Sequence, residues 1–337
     1  MELILADDSL HDIRRIFDYE IDVDLGDTNT FEFKIRRADY AQDMTFGNIV
    51  YAAGTEYGGI IGQVNTQTSL DTVSLKGYTW RGMLDKKIIK PPAGQDHLVV
   101  SGELNSVIKN LITEQYSSVF SVSEEDSGGT VTSFQFDRYC TLLAGIRKML
   151  KSAGYKLDID YIQQEQGEAG YVQLSATPIV DYSATIELSQ DDQLDFSFEN
   201  VRNGVNHLVC LGKGEGVERT VIDLYVQQDG TIGSTPYFTG VEEVAEVYED
   251  TSAEDAAALQ EKGIEKLTEL MNYTLFEMDV QTLDLDVDIG DIIGGRDYDT
   301  GLYAKKPVSG KIWRVADGKE TIEYSIAGEG EESEDKD

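Results

Sequence analysis

Apolar and polar side chains alternate with a period of two through most of the first eighty residues. The runs MELILAD, YEIDVDL, TFEFKIRR, GNIVYAAG, GGIIGQVNTQTS and DTVSLKGYTW carry the alternation, and GDTN, GTEYGG and SLD break it with turn residues. Such a period places every second side chain on one face, so the segment predicts short strands building a small barrel or sandwich. After Pro91 and Pro92 the period changes. Leu104, Val107, Ile108, Leu111 and Ile112 fall at helical spacing behind Ser101, a candidate N-cap, and Leu142, Leu143, Ile146, Met149 and Leu150 form a second helical stripe that stops at Gly154. YKLDIDYI and GYVQLSATPI then read as a hairpin pair, which makes residues 99–182 an α+β unit.

Strand patterning returns from residue 183 in SATIEL, LDFSFENVRNGVNHLVCLGKGEG and RTVIDLYVQQDGTIG. One amphipathic helix, SAEDAAALQEKGIEKLTELMN, opens at Ser252, and strands resume to residue 328. The ending EGEESEDKD is charge-rich and apolar-poor, the composition of a disordered tail. The two strand regions echo each other. TFEFKI, FGNIV, GGIIGQV and TVSLKG come early, and LFEMDV, IGDII, VSGKIWRV and TIEYSIAG come late in the same order. If that echo is structural, two copies of one small barrel flank an α+β insertion.

Length and charge narrow the class. A chain of 337 residues is long for one ordinary core and predicts several domains. Sixty-three acidic against 28 basic residues give a formal net charge of −35, a field that repels duplex DNA and anionic lipid. That charge reads either as solubility or as a surface past which DNA slides without sticking. Cys140 and Cys210 stand far apart in apolar contexts and predict free thiols rather than a disulfide. With no basic start before an apolar run and no 18-residue apolar segment, the chain is expected to be made in the cytoplasm and not to insert in a membrane.

Candidate chemistry is sparse. DLDVDIGD, residues 284–291, lacks the glycine and glutamate placement of a calcium loop and reads as a strand with one wet face. GKGEG, residues 212–216, precedes a strand pattern rather than a helix, so it reads as a turn and not a phosphate loop. His11, His97 and His207 have no ligand partners at metal spacing, and no nucleophile motif occurs, so no catalytic, metal or cofactor residue is assigned and an enzyme is not expected. The singular feature is GYTWRGMLDKKIIK, a basic cluster of Arg81, Lys86, Lys87 and Lys90 where a strand runs into a helical turn. It reads as a phosphate site, a subunit contact or a solvated helical face.

GGIIGQVNTQTSLDTVSLKGYTWRGMLDKKII resembles a segment of siphophage and prophage tail hub proteins, including the N-terminal module of tail-associated lysins. LILADDSLHDIRRIFDYEIDVDL, ENVRNGVNHLVCLGKGEG, DIGDII, VSGKIWRV and TIEYSIAG are similar to the same family in order and spacing, over residues 2–328. The resemblance implies a mostly β, α+β chain similar to the hub of contractile tails, with four domains: a barrel at 1–98, an α+β domain at 99–182, a second barrel at 183–212 and 280–328, an inserted α+β domain at 213–279, and the tail at 329–337. It implies a homotrimer, a pseudo-sixfold ring joining the tail tube and distal tail protein to a spike or fibre in the virion tail, with DNA passing unbound through its channel. It also implies that the basic cluster lies at a domain or subunit interface. Many relatives continue into a lytic region that this chain lacks, which points to a separate lytic protein or a truncated sequence. Two other readings stay open: a glycan-binding or carbohydrate-active β-rich surface protein, and DNA binding through Lys86, Lys87 and Lys90.

Overall fold

Six of the early runs become strands, and the linker between the first two adds another. The computed structural model describes residues 1–326 except 114, 117–118, 166, 184–186, 189–194, 202, 229, 254, 281–286 and 297. The strands are β1 (Leu3–Ala6), β2 (Asp12–Ile16), β3 (Tyr19–Leu25), β4 (Thr30–Arg36), β5 (Ile49–Ala52), β6 (Gly58–Thr66) and β7 (Thr72–Thr79). Alternation sorts their faces as expected: Ile21, Val23 and Leu25 of β3 and Phe31, Phe33 and Ile35 of β4 are buried, while the acidic residues between them face outward. Thr79 ends β7 and caps α1 (Trp80–Asp85) by accepting from the Gly82 amide, which turns strand into helix within one residue.

The α+β region follows. It contains β8 (Val99–Glu103), α2 (Leu104–Thr113), β9 (Phe120–Val122), β10 (Thr130–Gln135), α3 (Leu142–Ser152), β11 (Tyr155–Ile162) and β12 (Tyr171–Pro178). The expected hairpin pair is present: β11 and β12 are antiparallel over eight residues, and β12 pairs parallel with β9. Ser101 is not a cap. It lies in β8, and the Glu103 carboxylate accepts from the amides of Asn105 and Ser106 instead. Burial opposes ionisation of Glu103, but the Ser127 hydroxyl and three backbone amides outweigh it and hold its pKa at about 2. One core joins this region to the first strands, with Tyr51, Trp80 and Leu84 packed among Ile108, Ile146, Met149 and Tyr161.

The remaining elements are β13 (Glu187–Leu188), β14 (Asp195–Val201), β15 (His207–Leu211), β16 (Val221–Val226), β17 (Ile232–Gly233), β18 (Ala245–Glu249), α4 (Ala256–Leu270), β19 (Tyr273–Val280), β20 (Ile292–Arg296), β21 (Tyr303–Ala316) and β22 (Lys319–Ile326). By their contacts the chain divides into two compact units, Met1–Phe196 with Met278–Ala327, and Ser197–Glu277. The second unit has a four-stranded sheet in the order β17-β16-β15-β18, with Leu208, Cys210 and Leu224 packed against Leu259 and Leu267 of α4. Asp255 caps α4 through the Ala258 amide, whereas Ser252 belongs to a turn held by Asp250. GKGEG is the β15–β16 hairpin loop. Cys210 is buried, Cys140 is half-buried, and neither forms a disulfide.

The echo in the sequence has a counterpart in strand order. Early, β4 pairs with β7, β7 with β6 and β6 with β5; late, β19 pairs with β22, β22 with β21 and β21 with β20, all antiparallel. The registers of both β6 and β21 shift beside the shared glycine, Gly62 early and Gly310 late. The fold is mostly β with few helices; among the described residues the sheet is an open path that ends at β2, and no closed barrel is found. The tail expected at 329–337 lies outside the described residues.

β21 joins the two strand regions. Residues 311–315 pair antiparallel with β3, setting Trp313 opposite Val23 and Arg314 opposite Asp22. Trp313 is fully buried 5.1 Å from the Tyr57 ring, and its indole N–H donates to Glu320. Gly26 after β3 has φ +115°, and a Cβ there would lie 2.2 Å from the Ser309 carbonyl, so only glycine permits the close approach of the turn to β21. Replacing Trp313 with alanine removes the largest side chain at this junction and is expected to cost about 3–5 kcal/mol. Hydrogen exchange at the β3 amides should then accelerate; unchanged protection would show that the pairing holds without the indole.

Candidate functional site

The face of the joined sheet opposite the core is polar. Along β3, β4, β7 and β21 the outward positions include Asp22, Asp24, Glu32, Lys76 and Arg314, which border an open groove of about 630 Å³. Its cations are held by its acids: Arg314 donates to Asp22 at 2.8 Å and lies 3.4 Å from Glu323, while Lys76 and Lys34 stand 3.4 and 3.9 Å from Glu32. Burial opposes ionisation of Glu32, but the Ser74 hydroxyl and the two lysines outweigh it and lower its pKa. With Glu20 and Asp24 also outward, five carboxylates stand against three cations. The face is a mixed but net anionic surface rather than a pocket built for one ligand.

The basic cluster divides. Arg81 is buried, its guanidinium 2.8 Å from Glu56 and within reach of the Leu157 carbonyl in β11. Lys86 is exposed beside Asp85, 5.3 Å from the centre of the Tyr78 ring, and Lys87 lies 4.9 Å over the Tyr116 ring. Lys90 is exposed. Residues 87–89 tie α1 to the start of α3: the Lys87 carbonyl accepts from the Leu142 amide, and the Ile89 amide donates to Cys140. The four residues therefore do not converge on one anion site.

A second charge cluster escaped the sequence reading. Residues 284–286 of DLDVDIGD lie outside the described residues, and 287–291 form a turn rather than a strand with a wet face. Asp291 is buried. It accepts from Lys156 at 2.7 Å and from the amides of Val180 and Asp288. Asp288 takes Lys156 at 3.0 Å and Lys311 at 2.6 Å, so two buried lysines meet two carboxylates with no net charge. Burial opposes the charged forms, and ion pairing outweighs it, raising the pKa of Lys156 and lowering that of Asp288. Gly290, at φ +104°, lets the turn pass against Lys156, whose Cβ would lie 3.0 Å from an added methyl. The signal available in the sequence was Gly290 between two aspartates; the lysines lie far away and carried none. Beside this cluster Asp158 behaves oppositely: burial, then the repulsion of Asp160, Asp288 and Glu56, pushes its pKa up to about 6.

The histidines stand apart from these sites. His11 neighbours Asp7, and His97 pairs with the Phe136 carbonyl. His207, in the second unit, is held between Asp223 at 2.9 Å and Glu243 at 2.7 Å and stacks on Tyr225. Its burial lowers the pKa and the two carboxylates raise it further, for a net increase. Among the described residues no group of three His, Cys, Asp or Glu is arranged to hold a metal ion, and no helix is long and apolar enough to cross a membrane.

Similar solved structures exist over nearly the whole chain. The 43 kDa tail protein of prophage MuSo2 from Shewanella oneidensis superposes with a TM-score of 0.55 at 13% identity, covering 97% of this chain and 98% of that one. A chain of the phage p2 virion baseplate in its activated conformation matches with a TM-score of 0.55 at 10% identity, covering 99% and 100%, and another structure of that baseplate with a TM-score of 0.51 at 9%, covering 99% and 100%. No protein-family model matches the chain, and no curated protein matches it. The fold is that of these prophage tail and phage baseplate proteins.

Two measurements check the charge assignments. Asp291→Ala leaves Lys156 with Asp288 as its one carboxylate and takes the acceptor from the Val180 and Asp288 amides; it is expected to cost about 3 kcal/mol in denaturant unfolding, whereas Lys156→Met with Asp291→Leu should recover most of it. Because the folded pKa of Asp158 lies above its ordinary value of 3.8, the folded state holds the extra proton and stability falls as pH rises from about 4 through about 6. Asp158→Asn should therefore stabilise at pH 7.5 by about 1–2 kcal/mol, with no gain below pH 4.

Proposed function

We propose that this chain is a structural hub of a phage or prophage tail, three copies of which close a pseudo-sixfold ring around a channel for DNA. The fold likeness to prophage tail and baseplate proteins supports the tail role and a non-enzymatic one. The observation that carries the ring is the pairing of β3 with β21. β21 receives β20 and β3 along one side, and its counterpart β6 receives β5 at Gly58–Ile60 and no described strand beyond it. The open stretch Gln63–Thr66 stands where Lys311–Arg314 stand in the late copy. By the same correspondence β14, beside β19 at the end of the sheet path, takes the place of β3 beside β4. A neighbouring copy offering β14 to β6 would repeat between chains the junction that β3 and β21 make within one, and a heterologous contact of this kind generates closed rings.

In this arrangement the net anionic face is the channel wall, and its paired cations leave phosphate no unneutralised partner. The division into two barrels, an α+β domain and an insertion belongs to the same proposal. The partners are the tail tube and distal tail protein on one side and a spike or fibre on the other, and the place of the chain is the virion tail. Lys86, Lys87 and Lys90 are the accessible members of the proposed interface, and an acidic neighbour complements them.

Sedimentation of the full chain, alone and mixed with its neighbouring tail proteins, is expected to show a trimer. Since N–H groups alternate between the sides of a strand, proline at one of Val64 and Asn65 removes a donor facing the open edge and should yield monomers; trimers in both variants would rule this edge out. Lys86→Glu with Lys87→Glu should weaken assembly while leaving the thermal unfolding of the monomer unchanged.

A further inference from the structure

The second unit carries an exposed face that the ring does not use. In its sheet, residues facing α4 alternate with residues facing away, so Val209 and Leu211 lie opposite the side packed by Leu208 and Cys210. Register places Val247 beside Val209 and Val221 beside Leu211, which makes a contiguous block of four aliphatic side chains across three strands. Val247 is 60% exposed and Val221 50%. The same face carries Asp223 next to Val209 and Glu249 next to Leu211, the latter carboxylate ion-paired with Arg219. At one end the His207–Tyr225 stack closes the block, with His207 hydrogen-bonded to Asp223 and Glu243. Two short turns at opposite ends of the sheet, Gly216–Glu218 and Gly240–Glu242, each hold out a valine, Val217 and Val241, with no burial at all. Scattered single valines need no explanation, but an aliphatic block on the open face of a sheet does.

We propose that this face docks a cationic, amphipathic segment of a different protein chain. Charge selects that occupant. Between Ser197 and Glu277 there are sixteen Asp and Glu against five Lys and Arg, a net charge of −11. Nucleic acid and anionic lipid are repelled by such a unit. A second copy laid face to face on this one would set Asp223 and Glu249 against their own kind, which costs affinity. A chain that alternates apolar side chains with Lys or Arg fills the valine block and pairs with the carboxylates around it, the arrangement of an apolar core within a charged rim. The inference stands on this face alone and holds whether or not the chain forms a ring.

The test uses the full chain and a fluorescent ten-residue peptide alternating Val and Lys, with its Val and Glu counterpart as a control. Anisotropy titrations should show binding of the first peptide only, weakened by salt. Val221→Lys with Val247→Lys, both at exposed positions, should lower the affinity at least tenfold without changing thermal unfolding. Glu124→Gln with Glu125→Gln, an equal charge change on the first unit, should alter it by less than twofold. Equal losses in the two variants, binding of the Glu peptide, or no binding of the Lys peptide would overturn the proposal. So would a Val221→Lys with Val247→Lys variant that changes oligomeric state in sedimentation, since the occupant would then be a second copy.

Discussion

The antiparallel pairing of β3 with β21 is the contact on which the rest of the first unit depends. It brings Asp22 to Arg314 across 292 residues of chain. Closing so long a loop costs entropy, but the cost grows only logarithmically with length, so a modest number of well-formed interactions can hold it. Backbone hydrogen bonds supply direction, and the buried Trp313 against Tyr57 supplies the apolar area that makes the pairing worth more than its ordering cost. Gly26 and Gly310 let the backbones come close enough for both. Without this contact the two strand repeats would be separate sheets with unpaired edges, the condition that favours aggregation.

The buried Lys156, Lys311 and Asp291, with half-buried Asp288, make a different contribution. Desolvating them offsets much of their mutual attraction, so the cluster adds little to net stability while making any arrangement that separates its members expensive. It ties β11 of the α+β region, the turn before β20 and the start of the β3-paired part of β21 to one geometry. Arg81 with Glu56 does the same between α1, the β5–β6 turn and β11. Specificity of this kind suits a chain whose mostly β sheets could otherwise slip in register.

Charge acts at two scales. The overall excess of acid sets a field that keeps polyanions at a distance, and the local pairings decide which carboxylates remain free to act in it. On the joined sheet the cations are consumed within the face, whereas in the second unit the excess is large and surrounds exposed valines. The same acidic composition thus serves both proposals, a channel wall that DNA passes and a face that selects a basic protein partner.

The alternation of apolar residues determined most of the strands, the helical stripes of Leu142–Leu150 and the hairpin of β11 with β12, because these depend on neighbours two to four positions apart. The shared order of the strand runs was also legible, and register shifts fall beside Gly62 in β6 and Gly310 in β21. Helix starts were less so: a strand running straight into α2 gave the cap to Glu103 rather than Ser101, and both residue types satisfy an exposed amide. What only the tertiary structure decided was the fate of the charges. Lys156, Arg81 and Asp291 look like the wet positions of strands and turns, and their burial depends on partners far away in sequence. Period and composition register which side chains prefer water; whether a charged one finds its counter-ion in the interior is set by which distant strands meet.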